Sequence, residues 1–174
     1  MKNFWIIILC FCVLPVNGAV LTGGVEYSVD DAKIELQNNK PSSIDFILTN
    51  NNFVDSDREK NLFALYKGIT KLNDRTLALF SDDSYGVIYN DDKKHVWYYK
   101  NDGTLMYAEE KASLEYPYRT YKYTPEGELV NMTMRVSEKE TFIFDKLGNL
   151  LGHWIGENCY DENGNITMTR KILK

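Results

Sequence analysis

Cysteine is scarce in this chain. Of three, Cys10 and Cys12 lie near the start and only Cys159 falls in the remainder. A disulfide framework is thereby excluded, and the fold has to rest on packing. Histidine is scarcer, with His95 and His153 alone. Two isolated histidines without a ligand-spaced partner do not make a metal site, and neither a metal nor another cofactor is expected. A basic stripe is also missing. Lys and Arg total 20 against 25 Asp and Glu, a formal charge of −5, which argues against nucleic acid or an anionic membrane as partner. No Gly-rich phosphate loop follows a strand pattern. The longest apolar run, Phe4 to Leu14, rises only about 16 Å as a helix, against a hydrocarbon core of roughly 30 Å.

That run follows Met1-Lys2-Asn3 and precedes Pro15-Val16-Asn17-Gly18. A basic start, a short apolar core and a small-residue exit predict a secretory signal peptide over residues 1–18. Cys10 and Cys12 follow bulky apolar residues, which is not a lipoprotein context. The expectation is one exported domain, residues 19–174, in the periplasm or outside the cell, with no stable membrane insertion after cleavage.

What is abundant is aromatic: 12 Tyr, 8 Phe and 3 Trp, a content that suits strands. Four times the chain writes an aromatic residue, three turn-type residues, a glycine, a spacer and an aliphatic. The copies are Tyr99–Gly103–Leu105, Tyr123–Gly127–Leu129, Phe144–Gly148–Leu150 and Tyr160–Gly164–Ile166. In Thr124-Pro125-Glu126-Gly127, proline presets φ for a type I turn and glycine supplies the left-handed residue that follows. Each copy predicts a hairpin, with Gly103, Gly127, Gly148 and Gly164 as structural turn residues. Between turns the pattern alternates: Val130, Met132, Met134 and Val136 against Asn131, Thr133 and Arg135, and likewise Ile166 and Met168 against Thr167 and Thr169. Period two with one apolar face is an antiparallel sheet with one side covered and one wet.

Residues 19–73 are different. Ser28 to Asp31 and Ser56 to Glu59 read as capping boxes opening two helices, the second with a stripe of Leu62, Leu65, Tyr66 and Ile69 and Gly68 as terminator. Ile44 to Leu48 between them reads as a short strand or an extended connection. The fold expected is α+β, mainly β: two N-terminal helices packed on a long antiparallel β-meander, residues 74–174, built from glycine-turn hairpins.

Phe144-Asp-Lys-Leu-Gly-Asn-Leu150 and Tyr160-Asp-Glu-Asn-Gly-Asn-Ile166 resemble the tyrosine–aspartate repeats of Rhs-type proteins, and Tyr98-Tyr-Lys-Asn-Asp-Gly-Thr-Leu105 resembles MORN-variant repeats. The resemblance covers roughly the C-terminal half. The copies at Tyr99 and Tyr123 lack the aspartate after the aromatic residue. It implies a non-catalytic, repeat-built sheet used for scaffolding or partner contact.

No catalytic constellation emerges. Cys159 with His153 would need hydrogen-bond reach, and Cys159 beside Tyr160 at a strand end reads better as a small buried hydrophobe. Carboxylates such as Asp82-Asp83 and Asp91-Asp92 fall in turns. Binding is the stronger reading, with Trp97, Tyr116, Tyr118, Tyr121, Tyr123, His153 and Trp154 as the candidates to grip a protein groove or a glycan. The competing role for these rings is core packing and cross-strand pairing. Asn131-Met-Thr133 and Asn165-Ile-Thr167 match the N-glycosylation pattern. The function expected is an exported binding or scaffold module without enzymatic activity. The alternatives are a small envelope hydrolase and an inhibitor or neutraliser of another exported protein.

Overall fold

The computed structural model describes residues 27–48 and 52–170; the expected signal peptide, residues 1–18, lies outside them. Three short helices precede ten strands. Helix α1, Val29–Asn38, starts at a formed capping box: Ser28 Oγ accepts from the Asp31 N–H at 3.1 Å, and the Ser28 N–H donates to Asp31 Oδ2 at 3.2 Å. The stretch after Ile44 is neither strand nor extended connection but a single helical turn, α2, Asp45–Leu48. Ser43 Oγ accepts from the Asp45 N–H at its start, which favours the turn over an extended chain.

Helix α3, Arg58–Tyr66, departs from the sequence reading in two ways. Asp57 takes the N-cap position without a side-chain cap bond, so the box at Ser56 does not form. The buried residues are Asn61, Ala64 and Leu65, whereas Tyr66 is 89% exposed. The face turned inward is the one carrying Asn61, which donates to Asp55 Oδ2 at 2.9 Å and accepts from Arg75. Gly68, at φ +71°, ends the helix, with its N–H donating to the Leu65 carbonyl.

The strands are β1 Arg75–Leu79, β2 Tyr85–Tyr89, β3 His95–Tyr99, β4 Leu105–Lys111, β5 Tyr118–Tyr123, β6 Leu129–Arg135, β7 Glu140–Asp145, β8 Leu150–Ile155, β9 Asn158–Tyr160 and β10 Ile166–Thr169. Each pairs antiparallel with its sequence neighbour in one ten-stranded sheet. The four motif glycines have φ between +81° and +87°. In all four turns the glycine N–H donates to the carbonyl three residues back. Just past each turn the register slips, leaving Met106, Val130, Leu151 and Thr167 as the extra residues. Val130 is therefore a bulge residue, and the alternation proper begins at Asn131.

One face of the sheet carries the core. Trp97, Tyr99, Tyr121, Met132, Met134, Phe142 and Phe144 cluster with Ala32, Leu36, Ile47, Ala64 and Leu65 of the helices. Tyr121 donates its hydroxyl to the Leu36 carbonyl at 2.9 Å, and Phe46 stacks on His95. The edge strand β10 is exposed throughout, so Ile166 and Met168 do not join the apolar face expected of them.

Candidate functional site

Because direct cross-strand partners share a face, the pairing assigns every side chain to one side of the sheet. On the side away from the core the register builds parallel rows. One runs Val96, Glu109, Lys122, Asn131; the next Lys111, Thr120, Thr133, Ile143; the third Tyr118, Arg135, Thr141, Trp154. These side chains line one trough of about 390 Å³ that takes contributions from β1 through β8, with Arg170 beside Trp154. Residues from strands so far apart can line a single cavity because the twisted sheet curls around it.

The trough is charged. Lys111, Lys122, Arg135 and Arg170 line it against one carboxylate, Glu109, in a chain whose net charge is −5. Glu109 accepts from the Tyr98 hydroxyl at 3.1 Å and lies 3.9 Å from Lys122 Nζ. Among the described residues no ion pair involves Lys111, Arg135 or Arg170. Arg170 and Arg135 lie over aromatic faces, 4.5 Å from the Trp154 ring centre and 6.0 Å from that of Tyr116, and Lys122 lies 4.4 Å from the Tyr98 ring centre as well as near Glu109. A ring holds a cation without cancelling its charge. Burial lowers the affinity of Lys111 for its proton, with Glu109 opposing and Arg135 adding to the effect. Arg135 Nε is buried without a hydrogen-bond partner.

The residues singled out from sequence divide between the two faces. Trp97, Tyr121 and Tyr123 are at most 1% exposed and belong to the core under the helices; burial pushes the hydroxyls of Tyr121 and Tyr123 up to about 12. Tyr118 and Trp154 face the trough, and Tyr116, stacked on Tyr118, is exposed beside it. The run from Tyr116 to Tyr123 thus carries rings on both sides of β5. His153 is buried on the core face, stacked on Phe142, with Nε2 2.9 Å from Glu140 Oε1. Burial holds His153 below its ordinary value, and the Glu140 carboxylate works against that.

Cys159 is buried and stands directly opposite Trp154, so it shares the trough face, while His153 pairs with Tyr160 on the other. The register therefore separates the thiol from the imidazole by the thickness of the sheet. Among the described residues no three His, Cys, Asp or Glu side chains gather where they could hold a metal, and no helix is long and apolar enough to cross a membrane.

Sequence reasoning missed Lys111, Lys122, Arg135 and Glu109. The signal was present in the parity of the strands: Lys122 and Thr120 alternate with Tyr121 and Tyr123, and Arg135 and Thr133 with Met132 and Met134. Asn131 of the first glycosylation pattern lines the trough, and Asn165 of the second donates its amide to Asp161. No family model matches the chain, and no characterised protein or solved structure is significantly similar to it.

Proposed function

We propose that the chain is an exported, non-catalytic binding module whose uncovered sheet face takes its partner. The observation that carries this reading is the trough: four cations and one carboxylate on the wet face of an acidic protein, three of those cations in no ion pair among the described residues. Charged groups held close together without internal counter-charges oppose folding, which is what a surface shaped by binding tolerates. In this reading the helices seal one face of a meander of glycine-turn hairpins and leave the other to its partner. The resemblance to tyrosine–aspartate and MORN-variant repeats, families used for partner contact, supports the same view. A partner that is itself an exported protein would be scaffolded or neutralised by such a face.

The test is to fill the trough. Thr133→Trp adds a ring to its floor without touching the core. A partner captured from an extract of exported proteins by the unaltered chain should be lost by this variant at unchanged Tm. Retention of the partner by Thr133→Trp would refute the assignment of the face. Hydrolysis of cell-wall or glycan substrates, abolished by Cys159→Ala, would move the reading to a small hydrolase.

A further inference from the structure

We infer that the trough receives an extended acidic segment of a partner protein, its carboxylates seated on Lys111, Lys122, Arg135 and Arg170 above the Thr120 and Thr133 hydroxyls. This rests on the reading of the open face as the binding face, and narrows it to a ligand chemistry.

The layout of the charges decides between ligands. Lys111 is on β4, Lys122 on β5, Arg135 on β6, and Arg170 lies over Trp154 of β8. Neighbouring strands are about 4.8 Å apart, so β4 to β8 is roughly 19 Å measured along the curled sheet and less straight across the trough, within reach of about six residues of extended chain at ~3.3 Å each. One carboxylate has two oxygens to offer four cations spread across the sheet, and a chain with carboxylates at intervals can meet them all. Thr120 and Thr133 stand directly opposite each other between the cations, and Thr120 shares a row with Lys111, so two hydroxyls lie at the floor where backbone or carboxylate oxygens would rest.

The rings argue against a sugar. Lys122 and Arg170 cover faces of Tyr98 and Trp154 on which a pyranose would stack. In that position the aromatic side chains act as supports that hold cations in place without cancelling their charge, although Lys122 is shared with Glu109. Arg135 presents a fork suited to bidentate carboxylate contact, and its Nε has no hydrogen-bond partner among the described residues. Glu109 is the one lining group that would repel the segment, and it is engaged by Tyr98 and Lys122.

The experiment measures fluorescence anisotropy of labelled octaglutamate, with octaserine and octalysine of equal length as controls, at low and high salt. Octaglutamate should bind at least about tenfold more tightly than octaserine and weaken steeply with salt. Lys111→Gln and Arg135→Gln should each reduce its affinity roughly three- to tenfold at unchanged Tm, and Glu109→Gln should increase it. Equal binding of the three peptides, or an octaglutamate affinity untouched by both cation variants, would overturn the proposal. Tighter binding of an oligogalacturonate than of octaglutamate would assign the trough to an anionic glycan instead, and displacement of the peptide by equimolar inorganic phosphate would reduce it to a simple anion site. If Thr133→Trp loses the natural partner while octaglutamate fails to bind, the acidic chemistry is wrong and the binding face stands. If Thr133→Trp keeps the partner, both fall.

Discussion

Arg75 opens β1 on the covered face, and Arg135 closes β6 on the open one; the same side chain meets opposite surroundings. Arg75 is almost fully buried, 2.6 Å from both Asp57 and Asp74, and also bonds Asn61. Arg119, likewise under the helices, pairs with Glu35 of α1. Arg135 has no carboxylate partner among the described residues and lies against a tyrosine ring. Cations on the covered face tie helices to the sheet, because a buried charge left unpaired is costly. Cations on the open face tie no helix to the sheet: Lys122 reaches Glu109 on the neighbouring strand, and Arg170 donates to the Gly156 carbonyl. Positive groups left without carboxylate partners in a partly buried trough of an acidic protein contribute little to folding, and the proposed partner would account for them.

The sharpest way to break this comparison is a pair of neighbours on β7. Phe142 is fully buried under the helices and Ile143 lines the trough. Phe142→Ala should destabilise by about 3–5 kcal/mol, and Ile143→Ala by about 1 kcal/mol or less, read from urea unfolding midpoints. Similar losses at both positions would mean that the open face is part of the core after all. The two arginines come next. Arg75→Ala should cost about 1–2 kcal/mol, since it removes a buried side chain and leaves the buried Asn61 amide oxygen unpaired while the exposed Asp57 and Asp74 turn to water; Arg135→Ala should stay within about 0.5 kcal/mol, relieved in part of repulsion with Lys111. A large loss for Arg135→Ala would give that side chain a folding role and weaken the binding argument.

A smaller effect separates two of the hairpin turns. Gly127 and Gly164 have nearly the same left-handed φ, +85° and +81°. A Cβ at Gly164 meets nothing within 4 Å, while one at Gly127 runs into the Ile44 side chain. Gly164→Val should therefore cost about 1 kcal/mol from backbone strain alone, and Gly127→Val about 1–2 kcal/mol because Ile44 must also move. Equal Tm losses would show that Ile44 repacks freely and that the turn under α2 is not held by it.

These turns explain why so much of the β architecture could be read from residues. Their chemistry is local: glycine where φ must be positive, and polar side chains that close the turn upon itself. Asp145 and Asp161 accept from backbone N–H groups two and four residues ahead, and their second oxygens accept from the amides of Asn149 and Asn165. That is the physical content of an aromatic-Asp-x-x-Gly-Asn pattern. The candidate site was less legible, because period two says which residues share a face but not which face the helices will take. Trp97 and Tyr98 are adjacent aromatics of similar character, yet one is core and the other lines the trough. Counting rings could not separate them; following the charged residues of the same parity would have. The stripe of α3 failed for a related reason, since Asn61 reaches inward for a polar network that hydrophobic periodicity does not register.

The mildest test returns to those aspartates. Hydrogen bonds from Asn149 hold Asp145 below the usual carboxylate range, and those from Asn165 do the same for Asp161. A carboxylate whose affinity for protons is lower in the folded state supports the fold at pH values above its unfolded value, and that support is lost as pH falls through the folded one. Both turns should accordingly hold at neutral pH and loosen below about pH 4, where the acceptors become protonated. Amide exchange at Asn149 and Asn165 should accelerate in that range relative to Glu128. The Glu128 N–H donates instead to the hydroxyl of Thr124, 3.3 Å away, which does not titrate. Asp145→Asn should remove the pH dependence at its own turn and leave that at Asp161 intact. Parallel acceleration at Glu128 would show that acid acts on the sheet as a whole, through its many carboxylates, and that the turns are not separate local units.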